Sequence, residues 1–107
     1  MTFRVRELRR AQADVRQIVK WLAERSPRGA RAWLVAYDAM INRLEKNAEM
    51  LGLADENDEC EFEVRQASFK TNRGRVYRAI FFIEGDEVFI LRIRGPGQAP
   101  VQPEDLV

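Results

Sequence analysis

Histidine is missing from the chain altogether, and cysteine occurs once, at Cys60. The first absence excludes serine–histidine and cysteine–histidine nucleophile pairs, and zinc held by the usual mixture of imidazole and thiolate. The second excludes an internal disulfide and a thiolate-only metal site, so Cys60 reads as a reduced bystander and no metal or cofactor is expected. A long apolar run is missing too: nothing approaches the roughly 20 residues that cross a bilayer. The N-terminal arginines have no continuous apolar stretch behind them, so no secretory leader is read. The expectation is a cytoplasmic protein without a membrane partner.

What is present is charge, and it is unevenly spread. The formal net charge is only +1. Yet residues 1–47 carry eleven basic and five acidic side chains, while residues 48–63 carry seven acidic side chains (Glu49, Asp55, Glu56, Asp58, Glu59, Glu61, Glu63) and no basic one. The acidic block reads as a solvated loop, or as a fence beside basic residues of the chain or a partner. At 107 residues the chain is expected to form one domain, spanning 1–107.

The hydrophobic pattern changes period along the chain. Phe3-Arg4-Val5-Arg6 alternates as a half-buried strand does. Ala11, Val15, Ile18, Val19 and Leu22 then recur at helical spacing, predicting a helix that stops near Arg25. Ser26-Pro27 restarts the chain, because serine caps a helix and proline fits its first turn without losing a needed N–H. The second helix carries Ala30, Trp33, Leu34, Tyr37, Ile41 and Leu44 on one face and frays near Asn47. Trp33 and Tyr37 lie on that stripe and are expected in the core, against Phe81, Phe89 and Leu91.

Three strands complete the pattern: Phe62 to Phe69 with a bulge, Arg75 to Ile83, and Val88 to Arg94, the last two joined by a turn at Glu84-Gly85-Asp86-Glu87. Gly95-Pro96-Gly97 ends the last strand, leaving 95–107 as an irregular tail. The fold expected is α+β: strand, helix, helix, then a three-stranded meander, with a mainly antiparallel sheet and the helical hairpin on one face.

Between Val64 and Ile83 there are five basic residues, Arg65, Lys70, Arg73, Arg75 and Arg78, and no acidic one. Strict alternation places Val76, Arg78, Ile80, Ile90, Arg92 and Arg94 on one sheet face, with Tyr77, Ala79, Phe81, Ile83, Phe89, Leu91 and Ile93 on the other. Guanidinium stays charged and forks toward phosphate or carboxylate, so the first face is a candidate binding surface. If it cut RNA, Arg65, Lys70, Arg78, Arg92 and Arg94 would stabilise the phosphate, and Lys70, Glu63 or Tyr77 would have to serve as base.

The order of these elements resembles the RelE/ParE superfamily of bacterial toxins from type II toxin–antitoxin modules. The likeness rests on residues 11–18, on Ser26-Pro27 with Ala30, on Val64-Arg65, on Tyr77-Arg78-Ala79-Ile80-Phe81-Phe82 and on residues 88–93. The resemblance implies a small cytoplasmic toxin that a cognate antitoxin neutralises in a hetero-oligomer. It implies either ParE-like inhibition of DNA gyrase by binding or RelE-like cleavage of mRNA on the ribosome. The ParE-like reading is favoured, since Arg94 is followed by Gly95-Pro96-Gly97-Gln98 where many relatives carry histidine and further basic or aromatic residues. A degenerate, non-toxic binding module is the third reading. The antitoxin or target surface is expected to comprise Arg65, Arg73, Arg75, Val76, Arg78, Ile80, Ile90, Arg92 and Arg94.

Overall fold

The computed structural model describes residues 2–106. Strand β1 (Arg4–Glu7) leads into helix α1 (Arg9–Arg25) and helix α2 (Pro27–Asn47), followed by β2 (Arg65–Phe69), β3 (Tyr77–Glu84) and β4 (Glu87–Arg94). The sheet order is β1-β4-β3-β2, with β1 parallel to β4 and the other pairs antiparallel. The expected α+β architecture is the one observed.

Local chemistry explains the helix junction. Ser26 is extended, its backbone N–H donates to Leu22 O, and its side chain accepts from the Gly29 N–H at 2.9 Å. One residue therefore ends α1 and caps α2. The hairpin between β3 and β4 turns on Gly85, whose φ of +62° suits the first central position of a two-residue turn and favours glycine.

The core lies between the helices and one sheet face. Trp33 stacks on Tyr37 at 5.3 Å and meets Phe69 and Tyr77 edge-on at 5.4 and 5.5 Å. Met40, absent from the expected stripe, is buried, whereas Leu34 is exposed. The Tyr37 hydroxyl donates to Glu7 Oε2 at 2.5 Å, tying α2 to β1. Burial and that carboxylate both push the Tyr37 pKa up, so the phenol stays protonated.

The bulge stands elsewhere than expected. The β2–β3 ladder is regular, and the irregularity falls in β4, where Ile80 pairs with Arg92 but Phe81 pairs with Ile90. Leu91 is the extra residue, and it inverts the alternation of the first half of β4 relative to the second. Ile90 therefore packs with the helices, beside Phe81, and not on the arginine face. Leu91 and Phe89 lie on the arginine face: Leu91 joins Ile80 in a second core, and Phe89 stacks on Phe82 at 5.0 Å. The aromatic partners of Trp33 are accordingly Phe69 and Tyr77 in place of Phe89. Val76 precedes β3 and is exposed.

That second core is covered by the acidic segment and the tail. Ala54, Val64, Val101 and Leu106 bury themselves against Ile80 and Leu91, and the tail ends in a 3₁₀ turn at Pro103–Asp105. The tail is thus anchored on the sheet.

Truncating a buried aromatic leaves a cavity and costs about 3–5 kcal/mol, a large part of the roughly 5–15 kcal/mol available to such a domain. Trp33→Ala is expected to lower the thermal midpoint by well over 10 °C relative to the parent, followed by circular dichroism. A parent-like melt would move Trp33 out of the core.

Candidate functional site

The sheet face expected to be open and basic is closed by the chain's own acceptors. Cross-strand pairing sets Arg78 opposite Arg94 and Ile80 opposite Arg92. Arg78 donates through Nη1 and Nη2 to the two carboxylate oxygens of Glu56 at 2.8 and 2.7 Å. Glu56 is 2% exposed and also accepts from the Val101 N–H at 2.8 Å. Burial pushes the Glu56 carboxyl up, but the Arg78 guanidinium and the Val101 N–H outweigh it and hold its pKa below the ordinary value. The same carboxylate raises Arg78 against the opposing pull of desolvation.

Arg92 is engaged from the other side. Its Nε and Nη2 donate to Asp14 at 2.7 and 3.1 Å, its Nη1 donates to the Asp105 carbonyl at 3.1 Å, and Asp14 also accepts from the Ile93 N–H at 2.9 Å. Arg94 donates to the Ala99 carbonyl, and Arg65 donates to the Leu51 carbonyl and forms an ion pair with Glu63 at 2.9 Å. Ile80 is fully buried beneath this layer. Arg65, Arg78, Arg92 and Arg94 are therefore framework groups in this state, each with an internal acceptor.

Sequence reasoning missed Asp14 and Glu56. Asp14 left a signal: it lies three residues after Ala11 and four before Ile18, a carboxylate on the apolar side of a helix that requires a cation. Glu56 left none, being one acid among seven in the loop. The fence reading of that loop matches the geometry, through Glu56 on Arg78 and Glu63 on Arg65.

Three expected residues remain available together. Arg73, Arg75 and Val76 lie exposed on the segment between β2 and β3, and among the described residues neither arginine has an ion-pair partner; the same holds for Lys70. Arg75 reaches the rim of an open groove of about 680 Å³, floored by Ile18, Leu22 and Tyr77 and walled by Trp21 and Pro96. Trp21 is 53% exposed, with the Arg25 guanidinium 3.7 Å from its ring centre. Gly95 keeps the groove tight: a Cβ there would stand 3.1 Å from the Tyr77 ring. An indole left half in water beside two arginines is the composition of a protein-binding anchor.

Of the groups that would act as nucleophile or base, Lys70 is exposed and without an ion-pair partner among the described residues, and the others are protonated or paired. Burial and the neighbouring Glu56 and Glu59 push the Cys60 thiol up, and burial pushes Tyr77 up, so both stay protonated. Glu63 is paired with Arg65. Among the described residues no group of His, Cys, Asp and Glu is arranged to hold a metal ion.

Comparison with known proteins bears on the fold and the family. A family model described as "ParE toxin of type II toxin-antitoxin system, parDE" matches residues 5–100. A structure titled "Chromosomal ParDE TA system from P. aeruginosa" superposes with a TM-score of 0.66 at 23% identity, covering 88% of this chain and 96% of the other. No curated protein sequence matches.

Removing one partner of a buried ion pair costs about 3–5 kcal/mol, and Glu56→Gln is expected to lose an amount in that range at neutral pH. Because the folded Glu56 pKa is depressed, its contribution is complete above the ordinary carboxylate value of about 4.3 and vanishes as pH falls through the folded value. Urea melts of parent and variant should converge in acid. A gap that persists there would show that ionisation of Glu56 is not its source.

Proposed function

The chain belongs to the ParE toxin family of type II toxin–antitoxin systems, and from that premise we propose that it acts by binding DNA gyrase and is neutralised by an antitoxin segment seated in the Trp21 groove. The observation that carries this reading is the contrast between two surfaces. Of the arginines that would hold a scissile phosphate, Arg78 and Arg92 spend their forks on Glu56 and Asp14, and Arg65 and Arg94 donate to backbone carbonyls. The groove of Trp21, Leu22 and Tyr77 beside Arg75 is open.

A metal-free ribonuclease needs free cations at the phosphate and a group able to take the 2′-hydroxyl proton. Here the Arg78 and Arg92 forks are spent inside the fold, and Tyr77 and Cys60 hold their protons. A binding toxin needs neither. It needs an apolar anchor for slow dissociation and charge for fast encounter, which Trp21 with Arg25, Arg73 and Arg75 supply. An antitoxin segment with one apolar anchor and flanking carboxylates fits that chemistry.

Purified protein is expected to inhibit gyrase supercoiling and to leave mRNA on programmed ribosomes uncut in a toeprint assay. Codon-specific cleavage that disappears in Arg78→Ala would reverse the reading in favour of ribonuclease. Trp21→Ala and Arg75→Glu should each weaken the complex with the product of the neighbouring antitoxin gene by about 2 kcal/mol or more, with unchanged circular dichroism. Parent-like affinity in both would remove the groove from the interface.

A further inference from the structure

Arg94 is the anomaly of the closed face. Its Nε is buried and unpaired among the described residues, while its Nη2 donates only to the Ala99 carbonyl. Desolvation, then the guanidinium charges of Arg92 and Arg78, push its pKa down. On this face three guanidiniums, those of Arg78, Arg92 and Arg94, meet two carboxylates, those of Glu56 and Asp14. One positive charge is left without a counter-ion in a partly buried place, where it is costly.

The cover over that charge is the tail. Its polar attachments are few: the Ala99 carbonyl on Arg94, the Val101 N–H on Glu56, the Asp105 carbonyl on Arg10 at 3.0 Å and on Arg92 at 3.1 Å, and the Asp105 carboxylate on Arg10 at 3.5 Å. Two apolar plugs, Val101 and Leu106, complete the contact. The family match ends at residue 100, just before Val101. The tail offers neutral carbonyls to Arg92 and Arg94, whereas a carboxylate would take the Arg94 fork through Nε and Nη2 together, a shorter and stronger pairing.

We infer that residues 99–106 form a displaceable strap, and that an acidic, apolar-anchored segment of the antitoxin exchanges with it to place a carboxylate on Arg94. The proposal rests on the antitoxin reading above for the identity of the partner. Charge complementarity selects an acidic occupant. The two apolar sites vacated by Val101 and Leu106 select one with aliphatic side chains at intervals. Because the strap is part of the same chain, it competes at high effective concentration. Affinity for the incoming segment is therefore reduced by the fraction of molecules in which the strap is open. The turn at Gly95–Gln98 also lines the Trp21 groove, so one partner segment can run from that groove onto the arginine face.

The test uses the full chain and a fluorescein-labelled peptide of four Glu-Leu repeats, with a Ser-Leu peptide as the neutral control, read by anisotropy. Val101→Pro removes the N–H that anchors the strap to Glu56 and leaves the Glu56–Arg78 pair in place. It is expected to speed hydrogen exchange of residues 102–106 and to bind the acidic peptide at least tenfold more tightly than the parent. Adding Arg94→Gln should erase about tenfold of that gain, and the Ser-Leu peptide should show no gain. If Val101→Pro loses its cooperative melt, Arg10→Ala, which cuts the exposed attachments of Arg10 to Asp105, takes its place with an expected gain of about threefold. Equal peptide affinity with the strap held or loosened, or a gain indifferent to Arg94→Gln, overturns the proposal. Gyrase inhibition by the same parent protein is a separate readout, so failure of the strap leaves the toxin reading standing, and the reverse.

Discussion

Glu56 joins three parts of the chain that sequence keeps far apart. Its two oxygens take the Arg78 fork from the middle of the sheet, and one of them also takes the Val101 N–H from the tail. The carboxylate itself stands on the acidic loop between α2 and β2. A charge this deeply buried is tolerable only when paired and hydrogen-bonded, and the three donors meet that condition. With the three donors in place, loop and tail lie on the sheet. Val64, Ile80, Leu91, Val101 and Leu106 then share a second small core.

Asp14 does for the helices what Glu56 does for the loop. It accepts from Arg92 and from the Ile93 backbone, fixing α1 against β4. Both sheet-face arginines with full forks are thus structural braces, one to the acidic loop and one to α1. That arrangement bears on function. A basic face in a linear sequence suggests phosphate chemistry, but guanidinium is equally suited to pairing internal carboxylates. Here the internal acceptors are within 3.1 Å of Arg78 and Arg92, and the open surface has moved to the groove beside Trp21.

The bulge at Leu91 decides which side chains share a face. Without it Ile90 would join Arg92 beneath the tail and Leu91 would face the helices. With it, Ile90 and Ile93 both pack under the helical layer, and Leu91 fills the second core. One added residue lets β4 serve two cores with Val88, Ile90, Leu91 and Ile93 all buried.

The features that depend on local period and local capping were readable from the residues alone: the Ser26 junction, the helix lengths, the burial of Trp33 and Tyr37, the Gly85 turn and the strand–helix–helix–meander order. The resemblance to the toxin superfamily followed from that order. The site did not, because it rests on partners that only folding brings together. Arg78 and Glu56 are 22 positions apart and Arg92 and Asp14 are 78 apart. No periodicity encodes which of seven loop acids meets a given arginine, and alternation cannot reveal where a single bulged residue shifts its phase. The chain alone determined the elements and their apolar faces, since these follow from near-neighbour geometry. Tertiary structure alone decided which charges are spent inside and which remain for a partner, since a buried charge takes whatever counter-ion the packing delivers.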